Sequence, residues 1–309
     1  MPSAKVIFAT VVCAVIGVLT IPVFAQAPGQ APRKTLQPGM RQPPPIAPTG
    51  PGTGPYSAVS EVDPGLPTHT IFRPANLEAL GSVRLPVIAW ANGGCANSPR
   101  GFEPFLAEIA SHGFLVIAIG TTPPQQGQTS TKQMWQAVDW ATAQNALQDG
   151  KYRGKLDISK VAVAGQSCGG LQAIEASVDP RVTTAMICNS GVLNSSVGAP
   201  PMPSNPSKDI LQKMHVPMLY IIGGPSDSAY PNSADDFKRI ETVPVFLLNH
   251  DVGHGGTYRQ ENGGEFSKAA VAWLKWQLQG DQTAKKMFVG QNCGFCNSSL
   301  WNMAVKNFK

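Results

Sequence analysis

Gly165-Gln166-Ser167-Cys168-Gly169 follows the apolar run Val161 to Ala164 and precedes a helix-forming stretch from Leu171 to Ala176. A serine between small neighbours, with a strand before it and a helix after it, suits a tight strained turn. Such a turn aims Oγ out of a sheet and directs the positive end of the helix at the reacting atoms. Serine attacks an acyl carbon only when a base takes its proton and an acid orients that base. The expected chain order is Ser, then Asp or Glu, then His. Asp227 stands a few residues beyond the apolar run Met218 to Ile222, so it should share a sheet edge with Ser167. Asp235 and Asp236 are rivals, but they fall inside a helical pattern. His254 lies in the Gly-rich loop Asn249 to Thr257 before the last helix, where a reaching base belongs. His250 is its competitor, nearer the strand end. His69, His112 and His215 sit at element ends and read as structural, and Asp251 as a residue that shapes the loop.

Acyl transfer also needs donors for the tetrahedral oxyanion. The N–H of Cys168, the residue after the nucleophile, is one. The loop Asn92-Gly93-Gly94-Cys95 supplies the other, with Cys95 favoured and Gly94 next. Gly94 and Tyr230 are candidate substrate contacts. Trp90 could line the cleft but suits the core better. If Cys95 and Cys168 both lie at the oxyanion, a disulfide between them would lock the two donor loops.

Elements that could position these groups are legible as alternating patterns. Strands are expected at Thr70–Phe72, Pro86–Trp90, Phe114–Ile119, Val161–Ala164, Thr184–Cys188, Met218–Ile222 and Val245–Leu248. They are short and apolar throughout, as in a parallel sheet buried on both faces. Ser98-Pro99 is expected to open a helix carrying Phe102, Phe105, Leu106 and Ile109, with Gly113 ending it. Thr131 opens another helix. Asn262 to Glu265 resembles a capping box for a third, whose stripe is Phe266, Ala270, Trp273, Leu274 and Leu278, with Gly280 as its stop. The expected fold class is α/β: a mainly parallel sheet of about eight strands flanked by helices, with a minimal lid.

Together the strand–Gly165-Gln166-Ser167-Cys168-Gly169–helix unit, the Asn92 to Cys95 loop, Asp227 and Gly253-His254-Gly255 resemble the α/β-hydrolase superfamily. Within it, Ser111 to Ile117 resembles a segment of secreted cutinase-like and polyester-hydrolase-like esterases, and of dienelactone-hydrolase-like and acetylhydrolase-like relatives. The resemblance spans roughly residues 70 to 280. It implies an esterase using Ser167, His254 and Asp227, with no metal or organic cofactor. Cys95 and Cys168 at the oxyanion positions, and a cysteine-bearing tail, depart from the usual pattern.

The chain has 309 residues, a formal charge of +5, 42% hydrophobic and 14% charged residues, enough for one large core and against a disordered chain or a coiled coil. Residues 1–25 read as a secretory signal: Lys5, an apolar run, and Val23-Phe24-Ala25 at the cleavage site. Residues 26–55 hold nine Pro and five Gly, and read as an extended, mobile linker. Residues 56–290 form the catalytic domain and 291–309 a tail. From Tyr56 onward 20 basic residues face 19 acidic ones, too even a balance for nucleic-acid binding. No membrane span is expected once the signal is removed.

Export favours disulfides. Cys293 and Cys296 read as a local staple for the tail, and Cys188 as a buried free thiol. The short Pro-, Ser- and Asn-rich stretch between Cys188 and His215 leaves room for a small cap only. An open site suits short acyl chains or an ester on a polymeric scaffold. The expected protein is therefore an exported serine hydrolase of carboxylic esters, secreted or periplasmic. A peptidase or amidase on the same triad, a non-catalytic binding module, and a thiol–disulfide protein using Cys293 and Cys296 are the rivals. The natural ester, the oligomeric state and any role of the linker are left open.

Overall fold

The computed structural model describes residues 45–195 and 202–308. The expected leader, the first part of the expected linker, residues 196–201 of the stretch expected to form a small cap, and Lys309 lie outside the described residues. Nine strands form one sheet: β1 (Ala58–Glu61), β2 (His69–Pro74), β3 (Leu85–Ala91), β4 (Leu115–Ile119), β5 (Leu156–Gln166), β6 (Val182–Cys188), β7 (Met218–Ile222), β8 (Val245–Asn249) and β9 (Asn302–Lys306). Their order is β1-β2-β4-β3-β5-β6-β7-β8-β9. Strands β3 to β8 pair in parallel with one another, and antiparallel pairs (β1–β2 and β2–β4 at one end, β8–β9 at the other) complete the sheet.

The parallel strands are buried on both faces, and alternation divides their side chains between two cores. Val87, Ala89, Ile117, Val161 and Val163 face one core. There α2 (Thr131–Ala146) and α3 (Cys168–Ala176) pack. Ile88, Trp90, Val116, Ala162 and Ala164 face the other, against α1 (Glu103–Ser111) and α5 (Gly264–Gln279). α4 (Tyr230–Arg239) and the short α6 (Gln282–Lys285) complete the helices. This is a mainly parallel α/β sheet clad on both sides, as expected from the sequence. Trp90 is wholly buried, and its indole N–H donates to Asn92 Oδ1 at 3.0 Å.

Two helix starts differ from expectation. α1 begins at Glu103, not at Pro99, because Pro99 to Phe102 closes a turn, with Phe102 N donating to Pro99 O at 2.8 Å. Gly101 sits there at φ 96°, a conformation that suits glycine and not a helix interior. The capping box at Asn262 does not form. Thr257 caps α5 from outside: its hydroxyl donates to Gly263 O (2.7 Å) and accepts from Phe266 N (2.9 Å). Thr131 does open α2, with Ser130 and Gln133 forming a reciprocal capping box.

Both ends of the described chain fasten to the body. Ala47 N donates to Arg259 O, Thr53 N to Glu108 Oε2, and Tyr56 N to Ser111 O. The last part of the Pro-rich stretch is thus pinned along α1, where composition alone suggested a free tether. At the other end β9 pairs with β8, Asn302 opposite Asn249 and Lys306 opposite Val245. His250 Nδ1 donates to Leu300 O at 2.9 Å, and its ring lies 5.1 Å from that of Trp301. The tail is therefore an edge strand of the sheet as well as a stapled segment. Among the described residues, no helix is long and apolar enough to cross a membrane.

His69 shows how burial will govern acid stability. Its ring is fully buried, with Nε2–H donating to Gln133 O (3.0 Å) and Nδ1 accepting from Thr68 Oγ1 (2.9 Å). Burial disfavours the imidazolium and lowers its pKa to about 4, against a weaker upward pull from the Gln133 carbonyl. The unfolded chain then binds a proton that the folded chain refuses. Stability is full above about pH 6.5 and falls as pH drops toward 4. The expected loss over that window is about 3 kcal/mol. Urea denaturation of wild type and His69→Gln at pH 4 and 7 checks it; the variant should show the smaller pH difference.

Candidate active site

Ser167 occupies the single residue between β5 and α3, at φ 55° and ψ −118°. The neighbouring glycines are dictated by contact. A Cβ on Gly165 would lie 2.2 Å from Gly169 O, and one on Gly169 would lie 2.2 Å from Ala91 O. Ser167 N donates to Cys188 O at 3.0 Å, and Ser190 Oγ donates to Ser167 O at 2.7 Å. These bonds hold the turn from the β6 side. Gly169→Ala would force backbone against backbone, with an expected loss of about 3 kcal/mol. That corresponds to a fall in Tm of roughly 6–12 °C, measurable by scanning calorimetry.

Asp227 and His254 reach the same sheet edge from the loops after β7 and β8. Those loops touch: a Cβ on Gly223 would meet Gly253 O at 1.9 Å, and Ser226 Oγ donates to Asp251 Oδ1 at 2.6 Å. Asp251 thus ties the loops together, as its position suggested. His254 Nε2 lies 2.9 Å from Ser167 Oγ, and His254 Nδ1 lies 2.6 Å from Asp227 Oδ1. Gln166 Nε2 donates to His254 O at 3.1 Å, linking the base to the turn that carries the serine. Asp227 is 2% exposed. Burial pushes its carboxyl pKa up. Hydrogen bonds from His254, Ala229 N, Gly223 N and Asn189 outweigh that and hold it below the usual carboxylate value. An ionised carboxylate on Nδ1–H leaves Nε2 free to accept the serine proton.

The rivals go elsewhere. His250 holds the tail. His112 pairs with Glu108 at 3.0 Å on α1. Asp235, on α4, pairs with Arg239 of the same helix and with Lys208, which precedes β7. Asp236 is buried against Lys208 Nζ (2.6 Å), Tyr220 Oη (3.2 Å) and Val192 N (2.8 Å), where burial raises its carboxyl to about 6 despite the lysine.

Asn189, just past the end of β6, was not singled out from the sequence. It is fully buried at φ 43°, and its Nδ2 donates to Asp227 Oδ2 (2.7 Å) and Gly253 O (3.3 Å). Its Oδ1 accepts from the Tyr258 hydroxyl. The available signal was its position: a polar residue leaving a buried strand on the edge that carries Ser167.

Cys95 and Cys168 are joined by a disulfide with Cα atoms 5.2 Å apart, and Cys293 and Cys296 by a second at 5.1 Å. Cys188 is a free, buried thiol whose pKa burial pushes up to about 12. A cleft of about 470 Å³ opens over Ser167 and His254, with apolar walls from Leu171, Leu193, Met202 and Ala229. Gly94 lines it. Tyr230 does not. It begins α4, and its ring packs against the α2–α3 core while Ala229 and Asn232 face the cleft.

No curated protein matches the chain significantly. A family model described as PET hydrolase-like does match, over residues 40–301. With the nine-stranded sheet and the serine turn at its edge, that match makes the chain a member of the PET hydrolase-like family, a family of α/β-hydrolases.

Proposed function

We propose that this protein is an exported serine hydrolase of carboxylic esters, working through an acyl-enzyme on Ser167. Family membership makes it a hydrolase acting on ester bonds. The observation that carries the finer reading is the hydrogen-bonded series Ser167 Oγ, His254 Nε2, His254 Nδ1 and Asp227 Oδ1 at the floor of an open cleft.

Ser167 Oγ attacks the acyl carbon while its proton passes to His254 Nε2. Asp227 keeps the imidazole in the Nδ1–H tautomer and stabilises the cation that forms. The N–H groups of Cys168 and Cys95 hold the negative charge on the tetrahedral oxygen. His254 then gives the proton to the leaving alcohol, whose C–O bond breaks, and an acyl-Ser167 ester remains. Water, deprotonated by His254, attacks that ester. The acid leaves and Ser167 Oγ recovers its proton.

The aliphatic walls and the open mouth suit short acyl groups or ester units presented on a polymer chain. The secretory leader and the two disulfides support an oxidising destination outside the cytoplasm. The test is hydrolysis of p-nitrophenyl acetate to octanoate and of a polyester film by wild type and Ser167→Ala, beside matched anilides. Ester turnover that depends on Ser167 and exceeds anilide turnover is expected. Turnover of the anilides alone would make the protein an amidase, and a Ser167→Ala variant as active as wild type would remove the triad reading altogether.

A further inference from the structure

Among the described residues, five non-glycine residues have a left-handed backbone: Cys95 (φ 48°), Ser167 (φ 55°), Asn189, Asn262 and Asn307. Asparagine tolerates that region; cysteine and serine do so poorly and persist there only where the surroundings over-determine them. Ser167 is fixed by the packed turn. Cys95 follows a loop that is packed at Gly93, where a Cβ would lie 2.0 Å from Gln166 Oε1, and open at Gly94. Gly94 precedes it at φ 64°, and a Cβ there would meet nothing within 4 Å. The outer side of the loop is secured: Asn92 Nδ2 donates to Ile119 O (2.7 Å) and Ala96 O (3.0 Å), and Thr129 N donates to Cys95 O (2.9 Å). Toward α3 the hold on Cys95 is the bond to Cys168 Sγ, flanked by the Gln172 amide 3.2 Å from Cys95 Sγ.

The two residues joined are the two assigned as oxyanion donors. We infer that the Cys95–Cys168 disulfide is a positioning device for ester hydrolysis: it holds the Cys95 N–H at a fixed place relative to the Cys168 N–H, across 73 residues of chain. This rests on the serine-hydrolase reading above. Oxyanion donors act only when held to within about 0.5 Å of the productive geometry. Charge on the oxygen develops in the transition state, so a displaced donor is felt in kcat and little in KM. Without the bridge, the open Gly94 can relax and carry Cys95 out of its left-handed conformation, taking the amide with it.

The test uses the full exported chain carrying Cys293→Ser and Cys296→Ser, which removes the tail staple and leaves the cleft intact. A phosphine reductant supplies two electrons, the S–S bond breaks, each sulfur takes a proton, and the oxygen of one water goes to phosphorus. Intact mass after alkylation reports the state of the bridge. Should it resist reduction, Cys95→Ser/Cys168→Ser makes the same comparison. Reduction is expected to lower kcat for p-nitrophenyl acetate ~10- to 100-fold, with KM within about threefold and recovery on reoxidation. A reduced, folded enzyme that keeps kcat within about twofold, losing only Tm or raising only KM, overturns the inference, because a purely structural bridge would behave so. Ser167→Ala is assayed beside it in the oxidised state. Undiminished turnover there would overturn the serine-hydrolase reading itself, independently of what reduction does.

Discussion

Ser167→Ala is expected to lower kcat for a p-nitrophenyl ester by about 10⁴- to 10⁶-fold, with kcat/KM falling in parallel. The proposed nucleophilic oxygen, the one hydrogen-bonded to His254 Nε2, is removed, and the other serines lining the cleft, Ser190 and Ser228, do not take that place. Asn189 and Ser190 face the same space, but Ser190 Oγ is committed to Ser167 O at 2.7 Å. Alanine keeps the left-handed strain of the turn unchanged, so Tm should move little. That separates loss of chemistry from loss of fold. Single-turnover assays on both proteins, with circular dichroism melts, check both halves. The residual rate measures what the two amides proposed as oxyanion donors and the cleft achieve alone.

Asp227→Asn should combine a catalytic and a structural loss. Asp227 Oδ1 accepts from His254 Nδ1 (2.6 Å) and Ala229 N (2.9 Å), and Oδ2 accepts from Gly223 N (3.0 Å) and Asn189 Nδ2 (2.7 Å). Both oxygens face donors only, so an amide NH₂ meets two N–H groups whichever way it is turned. One escape is for His254 to give up its Nδ1 proton, which places the proton on Nε2 and removes the base. The expected fall in kcat is about 10⁴-fold. The unpaired buried donors should lower stability by about 1–3 kcal/mol.

The acid dependence provides a second readout. The Asp227 carboxyl pKa lies below its ordinary value in the fold. The unfolded chain therefore takes up the proton first as pH falls. The stability that Asp227 contributes is full above the ordinary carboxylate range and is lost as pH drops through the depressed value. Asp227→Asn should abolish that part of the acid sensitivity, leaving the His69 part at higher pH. Urea denaturation between pH 3 and 7 distinguishes the two windows.

That Ser167, Asp227 and His254 meet was legible because their signals are local. A nucleophile turn needs small neighbours within two residues, and Gly165 and Gly169 are where contact with Ala91 and with each other demands them. Asp227 and His254 each follow a buried strand, and in a parallel sheet all strand exits share one edge. That rule brought together residues far apart in sequence, without any knowledge of their contacts.

What required the tertiary structure is what depends on atoms across long separations. Asn189 gains its place beside Asp227 only because β6 lies next to β7 and Tyr258 approaches from beyond β8. β9 carries a weak alternating pattern in a tail rich in turn residues, and as an edge strand it is specified mainly by the partner it finds in β8. The Pro-rich stretch looked free by composition, yet from Ala47 its backbone bonds to Arg259, Glu108 and Ser111. Tyr230 looked suited to the cleft by its spacing from Asp227, but at the first turn of α4 its ring packs against the α2–α3 core instead. The sequence by itself determined the tight turn at Gly165 to Gly169, the chain order of Ser167, Asp227 and His254 and the parallel sheet, because each follows from short-range sterics and periodicity. Only the tertiary structure decided how the carboxylate is anchored, where both ends of the described residues dock, and which side chains wall the cleft, because those depend on which surfaces meet.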